Sequence, residues 1–139
     1  MPLKKVQLLD LNPYCDQRGK LVYLQQGVCL PFSPKRIYYL YDISEGAVRG
    51  VHAHKKLQQL IVAIHGSFTI KVYDGEEWEE IRLDQAGRGI LVLPGVWREL
   101  VDFSEDAVCL VLASEEYEPE DYIFSLEEFE EHLKSVGKA

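Results

Sequence analysis

Two histidines separated by one residue form the densest cluster of reactive side chains in the sequence. They are His52 and His54, and Arg49 lies three positions before the first of them. If this stretch is a β-strand, both imidazoles project from the same face, about 6–7 Å apart along the strand. Two imidazoles on an inward face can ligate a metal or act as acid and base on a bound molecule. Solvent-facing histidines on a polar hairpin are the alternative, but a pair beside an arginine favours function.

Other side chains suited to a ligand site flank this cluster. A predicted strand at residues 36–42 contains Tyr38, Tyr39 and Tyr41. Tyr39 and Tyr41 share one face and Tyr38 has the other, and alternation alone leaves open which face is inside. Trp97 is suited to stacking on a base or sugar, with a place in the core as the alternative. The cations available for a phosphorylated ligand are Arg36, Arg49, Lys55, Arg88 and Arg98.

Short β-type runs separated by turn residues extend from about residue 20 to residue 113 and must position these side chains. Residues 67–73 alternate cleanly, and Asp74-Gly75 marks a hairpin. Residues 107–113 are apolar throughout, which is typical of a strand covered on both faces. Closely spaced strands without intervening helices indicate an antiparallel sandwich or barrel. We therefore predict a single all-β domain over residues 1–139.

One helix is predicted near the C-terminus. Ser125 and Glu128 form a capping box, in which the two side chains satisfy free N–H groups of the first turn. Gly137 is suited to end the helix. The apolar stripe at helical spacing consists of Leu126, Phe129, Leu133 and Val136.

Composition limits the partners and the compartment. The net charge of −8 argues against nucleic acid, which needs a basic surface. The longest apolar runs are too short to cross a bilayer, and the N-terminus has no apolar leader segment. The three cysteines are odd in number and widely spaced, which fits reduced thiols. We expect a cytoplasmic protein that binds neither nucleic acid nor membrane.

The spacing of several residues around the histidines follows the first conserved motif of the cupin superfamily. The residues in question are Gly46, His52, His54, Gln59 and Gly66. This resemblance implies a cupin fold, which is a double-stranded β-helix or jelly-roll barrel, here with a short C-terminal helix.

The chain departs from the metal-dependent cupins at two positions. Those proteins carry Glu where this chain has Gln59, and their second motif supplies a further His, whereas residues 89–98 contain none. Arg98 and Glu99 are what this region offers instead. An amide and a guanidinium are poor replacements, since arginine has no free lone pair for a metal. We predict a site that works without a metal or other cofactor.

A closer resemblance, to the sugar 3,4-ketoisomerases of the FdtA-like or WxcM-like type, extends over nearly the whole chain. The matching segments are residues 36–39, 49–55, 94–97, 102–104 and 111–114. Members of this family move the keto group of dTDP-4-keto-6-deoxyglucose from C4 to C3 through an enediol or enediolate. They serve bacterial deoxysugar pathways, such as those for lipopolysaccharide or S-layer glycans. Some relatives have His where this chain has Arg98, which leaves the role of that position open.

The resemblance also implies roles for individual residues. His54 is expected to transfer the proton between C3 and C4. Tyr39 is expected to relay the proton between the two substrate oxygens. His52 is expected to orient the sugar or share the proton transfer, and Arg49 to stabilise negative charge. Further substrate contacts are expected from Arg36, Tyr41, Lys55, Trp97 and Arg98. The family resemblance implies a homodimer with exchanged N-terminal strands, and residues 4–11 have the alternation of an edge strand.

Three other functions remain open from the sequence. The nearest is a sugar 3,5-epimerase, a metal-free cupin that acts on the same 4-keto sugar. A metal-dependent cupin oxygenase or isomerase is disfavoured by Gln59 and Arg98. A non-catalytic sugar-binding cupin keeps the fold but has no need of the histidine pair. The nucleotide and the C4 configuration of the product are also left open.

Overall fold

The computed structural model describes residues 4–137 and contains two five-stranded β-sheets that face each other. The first sheet contains, in spatial order, β1 (Val6–Asp10), β11 (Arg88–Val92), β8 (Gln59–His65), β13 (Val108–Ala113) and β6 (Arg36–Leu40). The second contains β10 (Trp78–Leu83), β9 (Phe68–Tyr73), β12 (Trp97–Val101), β7 (Arg49–His54) and β14 (Tyr122–Ile123). Two short ribbons pair β2 (Tyr14–Asp16) with β3 (Gly19–Leu21), and β4 (Gln25–Gln26) with β5 (Cys29–Leu30).

Successive strands from β6 to β14 alternate between the two sheets, except at the β9–β10 hairpin. This alternation produces a jelly-roll, because each connection crosses from one sheet to the facing one. The predicted all-β class is confirmed. Within residues 4–137 no strand pairing joins the two five-stranded sheets, so the hydrogen bonds do not form one continuously closed barrel.

The main core fills the space between the sheets. Phe68, Ile70 and Val72, the alternating apolar residues of β9, are all 0% exposed. They pack with Ile61 of β8 and Val111 of β13. Each such side chain contributes about 1.5–3 kcal/mol by leaving water, so this alternation fixes which face of each strand is inside.

The N-terminal segment covers part of the outer face of the first sheet. Leu11, Leu30 and Phe32 pack there against Leu60 of β8 and Leu112 of β13. This second apolar cluster explains why β8 and β13 are buried on both faces and lack the polar alternation of a half-exposed strand.

The predicted helix is present as α1 (Leu126–Gly137). Ser125 Oγ accepts the backbone N–H of Glu128 at 3.1 Å, as a capping residue does. Phe129 is 0% exposed and packs with Trp97 and Ile123 on the outer face of the second sheet. Among residues 4–137, no helix has the length and apolar character needed to cross a membrane.

A β-bulge in β7 determines which side chains face the core. Arg98 of β12 pairs with His52, but the next register pair joins Leu100 to Arg49, so β7 contains one extra residue. Gly50 lies at the bulge with a φ of 62°, a left-handed conformation that glycine adopts without strain. Because residues directly opposite each other share a face, the bulge turns Arg49 toward the side that Leu100 occupies.

Candidate active site

The two histidines lie together at the interior face of β7. Their ring centroids are 4.7 Å apart, and the rings are nearly perpendicular, at 86°. His54 is 0% exposed, and His52 is half-buried. Arg98, which pairs with His52, hydrogen-bonds to Gln59 of the facing sheet, so this group lies between the two sheets. The predicted placement of both imidazoles on one side of a strand is therefore observed.

The side-chain carboxylate of Asp121, near the C-terminus, hydrogen-bonds to His54. Asp121 ends a 3₁₀ turn at Pro119–Asp121, and its Oδ2 lies 3.1 Å from His54 Nδ1. Its Oδ1 accepts the backbone N–H of Lys56 at 2.8 Å, which fixes the carboxylate. Because an ionised carboxylate only accepts, His54 Nδ1 must be the protonated nitrogen. The lone pair of a neutral His54 therefore lies on Nε2, which has no hydrogen-bond partner among the described residues.

Both imidazoles are neutral at physiological pH. Burial, followed by the positive charge of Arg98, lowers the pKa of His54 to about 2. The same two causes, in the same order, lower the pKa of His52 to about 2. Neutral imidazoles are proton acceptors, so the pair is in the form needed for a base.

Tyr122 and Phe124 cover the histidine pair. Tyr122 lies opposite His54 in the β7–β14 ladder, and its ring centroid is 4.4 Å from that of His54 and 5.0 Å from that of His52. Phe124 stacks on Tyr122 at 5.4 Å. The Tyr122 hydroxyl accepts a hydrogen bond of 3.1 Å from Arg36 of β6, which links the C-terminal segment to the opposite sheet.

Two hydrogen bonds link a buried arginine, an amide and a phenol across the interior. Arg98 Nη1 donates to Gln59 Oε1, and Gln59 Nε2 donates to the Tyr38 hydroxyl at 3.2 Å. Arg98 and Gln59 are each 1% exposed. Nε and Nη2 of Arg98 have no hydrogen-bond partner, and none of the ion pairs within residues 4–137 involves it.

Burial shifts the pKa values of Arg98 and Tyr38, the two titratable groups at the ends of this series of hydrogen bonds. It lowers the pKa of Arg98 to about 10, which leaves the guanidinium charged at neutral pH. It also raises the pKa of Tyr38, although the charge of Arg98 and the Gln59 hydrogen bond oppose that rise. The interior thus holds a protonated phenol and a cation that pairs with no carboxylate of residues 4–137, and together they suit a developing oxyanion.

Two tyrosines expected at the site lie elsewhere. Tyr39 and Tyr41 are 61% and 62% exposed, and their rings lie side by side at 5.9 Å. The physical reason is the alternation of β6, whose inward residues are Arg36, Tyr38 and Leu40. Tyr38 is therefore the tyrosine of β6 that faces the interior, which corrects the position expected of Tyr39 and Tyr41.

Trp97 is also absent from the site. It is 2% exposed and packs against Phe129 beneath the helix, and its Nε1 donates to Glu99 at 2.9 Å. As the neighbour of the inward-facing Arg98, it must face the other way. The position expected of Trp97 is therefore corrected, since it packs beneath the helix and away from the histidine pair.

The remaining predicted cations differ in position. Arg36 is in the site, with its guanidinium 4.7 Å from the centre of the Tyr38 ring. Arg49 is exposed at the start of β7, on the side toward which the bulge turns it. Lys55 and Arg88 are exposed, and the Lys55 backbone rather than its ammonium contacts this region, through a 3.0 Å bond to Asp121.

Sequence reasoning missed Asp121 and Tyr122 and left the face of Tyr38 undecided. Asp121 is one of many acids near the C-terminus, and nothing local distinguishes it. Tyr122 begins a strand of two residues, which is too short for an alternation signal. The sequence did hold a signal for the face of Tyr38. Arg36 and Tyr39 were both expected at the site, but they cannot both face inward from one regular strand.

The donor set fits a metal poorly. Among the described residues, no group of three or more His, Cys, Asp or Glu is arranged to hold a metal ion. Two imidazoles are present, but the neighbouring positions hold the Gln59 amide and the Arg98 guanidinium, which donates to that amide. A cation beside the imidazoles opposes the binding of a second cation. What the arrangement can do is transfer protons beside an oxygen that becomes negative.

The chain is similar to known proteins over almost its whole length. The family model described as FdtA: WxcM-like, C-terminal, matches residues 4–134. The chain is 39% identical over 131 residues to the TDP-4-oxo-6-deoxy-alpha-D-glucose-3,4-oxoisomerase of Aneurinibacillus thermoaerophilus, and the match covers 94% of each sequence.

Solved structures agree with this similarity. A sugar 3,4-ketoisomerase from Thermoanaerobacterium thermosaccharolyticum, in complex with TDP, is 35% identical with a TM-score of 0.92, over 96% of this chain and 98% of that one. A TDP-quinovose 3,4-ketoisomerase from Campylobacter jejuni is 37% identical with a TM-score of 0.89, over 93% of this chain and 99% of that one.

Proposed function

The chain belongs to the FdtA family (WxcM-like, C-terminal), and from that premise we propose that it is a TDP-sugar 3,4-ketoisomerase. The substrate is TDP-4-keto-6-deoxyglucose, also written with the prefix dTDP, and the keto group moves from C4 to C3. The jelly-roll is the cupin fold of this family. The observation that carries the proposal is the neutral imidazole pair beside a buried phenol and an arginine that forms no ion pair within the described residues.

The reaction is a rearrangement of protons and electron pairs. A base removes the proton from C3, and the electrons of that bond form a C3=C4 double bond while O4 takes the negative charge. O3 then loses its proton, the C3=O bond forms, and C4 takes a proton as O4 becomes a hydroxyl. The product has the same atoms and electrons as the substrate, so the reaction consumes no oxidant or reductant.

The imidazole pair supplies the base for the carbon protons. Asp121 directs the lone pair of His54 to Nε2, and the centroid distance of 4.7 Å puts His52 within reach of the same small molecule. His54 is the ring that Asp121 orients, and His52 is the more exposed ring. We therefore assign the C3-to-C4 transfer to His54 with His52 sharing it, and the tests below replace each ring in turn.

Tyr38 and Arg98 act on the substrate oxygens: Tyr38 transfers a proton and Arg98 stabilises negative charge. Tyr38 is protonated at neutral pH, since burial raises its pKa, so it can deliver its proton to O4 and then, as the phenolate, take the proton that O3 loses. Two guanidinium nitrogens of Arg98 have no hydrogen-bond partner in the described part of the chain, which suits Arg98 to hold the enediolate oxygen. Removing a donor to such an oxyanion typically costs about 10²–10³-fold in kcat.

The phosphate-bearing end of the substrate meets the more exposed cations. Arg49 lies at the exposed start of β7, and Lys55 is exposed at its end. A fork-shaped guanidinium binds phosphate oxygens in a bidentate manner, so Arg49 is the stronger candidate for the diphosphate. Arg36 is engaged with Tyr122 inside and is assigned to the sugar oxygens.

Product analysis separates this function from its alternatives. The protein is incubated with TDP-4-keto-6-deoxyglucose, and the product is identified by NMR. A ketone at C3 with a hydroxyl at C4 supports the proposal. A ketone still at C4 with inverted C3 or C5 would instead identify a 3,5-epimerase, and binding without turnover would identify a non-catalytic sugar-binding cupin.

The enzyme is proposed to be a homodimer. The outer face of the first sheet exposes apolar side chains next to one another on β6, with Ile37 60% exposed and Tyr39 61% exposed. Ile64 on β8 adds a further exposed side chain, at 43%. Contiguous apolar surface of this kind marks protein interfaces. Exchange of N-terminal strands would replace the β1–β11 pairing within one chain by the same pairing between chains.

The cytoplasm is the proposed compartment. Cys15, Cys29 and Cys109 are free thiols in the structure, and Cys15 is exposed. Such thiols persist in the reducing cytoplasm. Neither nucleic acid nor membrane is proposed as a partner, because the net charge of −8 repels both phosphate backbones and anionic lipids.

A further inference from the structure

Gln59 lies between Arg98 and Tyr38 and is hydrogen-bonded to both of them. Its side-chain oxygen accepts from Arg98 Nη1, and its side-chain nitrogen donates to the Tyr38 hydroxyl at 3.2 Å. It is 1% exposed, on β8 of the first sheet, while Arg98 reaches it from β12 of the second. Gln59 is thus the contact through which the cation and the phenol are linked.

Arg98 determines which way the amide is turned. A guanidinium has donors and no acceptor, so only the carbonyl oxygen of Gln59 can face it. The NH₂ group of Gln59 must then face Tyr38. The Tyr38 oxygen accepts a hydrogen bond from the amide N–H, and its own O–H is therefore directed away from Gln59. A buried hydroxyl with its acceptor position occupied in this way can donate only to another group.

We propose that Gln59 is a positioning residue that aims the Tyr38 proton at the substrate oxygen. This inference rests on the proposed ketoisomerase function and deepens it. Gln59 does not touch the reacting atoms; it acts through Tyr38, with Arg98 fixing its orientation. The amide at this position is then a requirement of the proton transfer, because no carboxylate can perform the same task.

A carboxylate at position 59 would reverse the direction of the phenol. Both oxygens of an ionised glutamate accept, so one would pair with Arg98 and the other would accept a hydrogen bond from the Tyr38 O–H. The side chain is nearly the same size and gains an ion pair, so Gln59→Glu is expected to fold. The variant therefore changes the direction of one hydrogen bond with little change in packing.

A double-mutant cycle tests the inference. Gln59→Glu is expected to lower kcat by about 10²-fold or more, the scale of a lost general acid, with KM changed by less than about threefold. In a Tyr38→Phe background the same substitution should change kcat by less than about twofold, because the group it acts through is gone. Gln58→Glu, at the neighbouring position, is the matched control and should retain wild-type kcat. The inference is overturned if Gln59→Glu retains wild-type kcat, if Tyr38→Phe does, or if the two losses multiply.

A second readout does not depend on turnover. The ¹³Cζ resonance of Tyr38, assigned by its loss in Tyr38→Phe, is followed by NMR during a pH titration. Gln59→Leu removes the donor to the phenolate, and Gln59→Glu adds a negative charge, so both should raise the pKa of Tyr38 above the wild-type value. An unchanged pKa in both variants contradicts the contact. If the wild-type protein leaves the substrate ketone at C4, the proposed function fails, and this titration still decides the role of Gln59 toward Tyr38.

Discussion

At the scale of single residues, burial and orientation give ordinary side chains their chemistry. In the proposed mechanism His54 is a directed base, because Asp121 holds one ring nitrogen while the other has no hydrogen-bond partner within residues 4–137. In the proposed mechanism Arg98 is available to an oxyanion, because among the described residues its side chain hydrogen-bonds to a neutral amide and forms no ion pair. These two features follow from contacts between residues far apart in the sequence, and each has a direct test.

Tyr38→Phe tests the identity of the phenol. We expect kcat to fall by about 10²-fold or more, because the variant lacks the proton that serves the substrate oxygen. Tyr39→Phe is the matched control, since Tyr39 is 61% exposed on the opposite face, and it should retain wild-type kcat. Steady-state kinetics on both variants make the comparison. A loss confined to Tyr39→Phe would reverse the assignment.

Replacement of each histidine tests the base. His54→Asn is expected to abolish turnover while the affinity for TDP changes little, because asparagine preserves polarity but cannot take the carbon proton. His52→Asn should lower kcat by about 10²-fold. Isothermal titration with TDP and single-turnover kinetics separate binding from chemistry. Full activity in His54→Asn would remove that residue from the mechanism.

How much of the site the sequence predicts depends on the kind of signal each residue carries. The spacing of His52 and His54 is enough to put both on one face of a strand. Tyr38 and Trp97 required knowledge of which face is inside, and that is set by packing between sheets rather than by local pattern. Asp121 required a tertiary contact with His54, 67 positions away in sequence.

At the scale of secondary-structure elements, the strands and the helix are readable because they have periodic patterns. Alternation predicts β9, and the capping box predicts the start of α1. The 3₁₀ turn at Pro119–Asp121 and the two-residue β14 lie in an acidic stretch that favours a solvated surface. These short elements nevertheless deliver Asp121 and Tyr122 to the site.

Gly50→Ala tests the role of the bulge in β7. At a φ of 62° an alanine costs about 1–2 kcal/mol of folding free energy, although its Cβ would be no closer than 3.5 Å to Leu100. We expect a lower Tm together with a reduced kcat/KM, as the bulge that turns Arg49 is strained. Gly137→Ala, where a Cβ meets nothing within 4 Å, is the control and should not lower Tm. Equal melting temperatures for wild type and Gly50→Ala would contradict this account.

At the scale of the whole molecule, the buried histidines couple stability to pH. Their pKa values of about 2 in the folded state lie below the ordinary value of 6.5 that they regain on unfolding. The unfolded chain therefore binds more protons below pH 6.5, and stability is lost as the pH falls through that value. Above it, both states hold neutral imidazoles and this contribution no longer varies.

Denaturant unfolding between pH 5 and pH 8 measures the effect. Each buried histidine should remove up to about 1.4 kcal/mol of unfolding free energy per pH unit below 6.5. The His52→Asn/His54→Asn double variant should show a correspondingly weaker pH dependence, whatever its absolute stability. Identical slopes for the wild type and the double variant would mean that the imidazoles are not desolvated.

Association is the second property at this scale. Light scattering at micromolar concentration is expected to report twice the 16.0 kDa mass of one chain. Ile37→Glu puts a charge on the exposed apolar face of the first sheet and should shift the population toward monomer. Val136→Glu, on the exposed side of α1 at 56% exposure, is the control and should remain dimeric. A monomeric wild-type protein would contradict the proposal.

The proposed mechanism depends most on proton transfer by imidazoles without help from a metal ion. The decisive measurement is kcat with TDP-4-keto-6-deoxyglucose after chelation, with metal content determined by elemental analysis of the same sample. We predict that protein holding far less than one metal ion per chain turns over at the rate of the untreated enzyme. Loss of activity on chelation, with recovery when a single divalent metal is added back, would contradict the account.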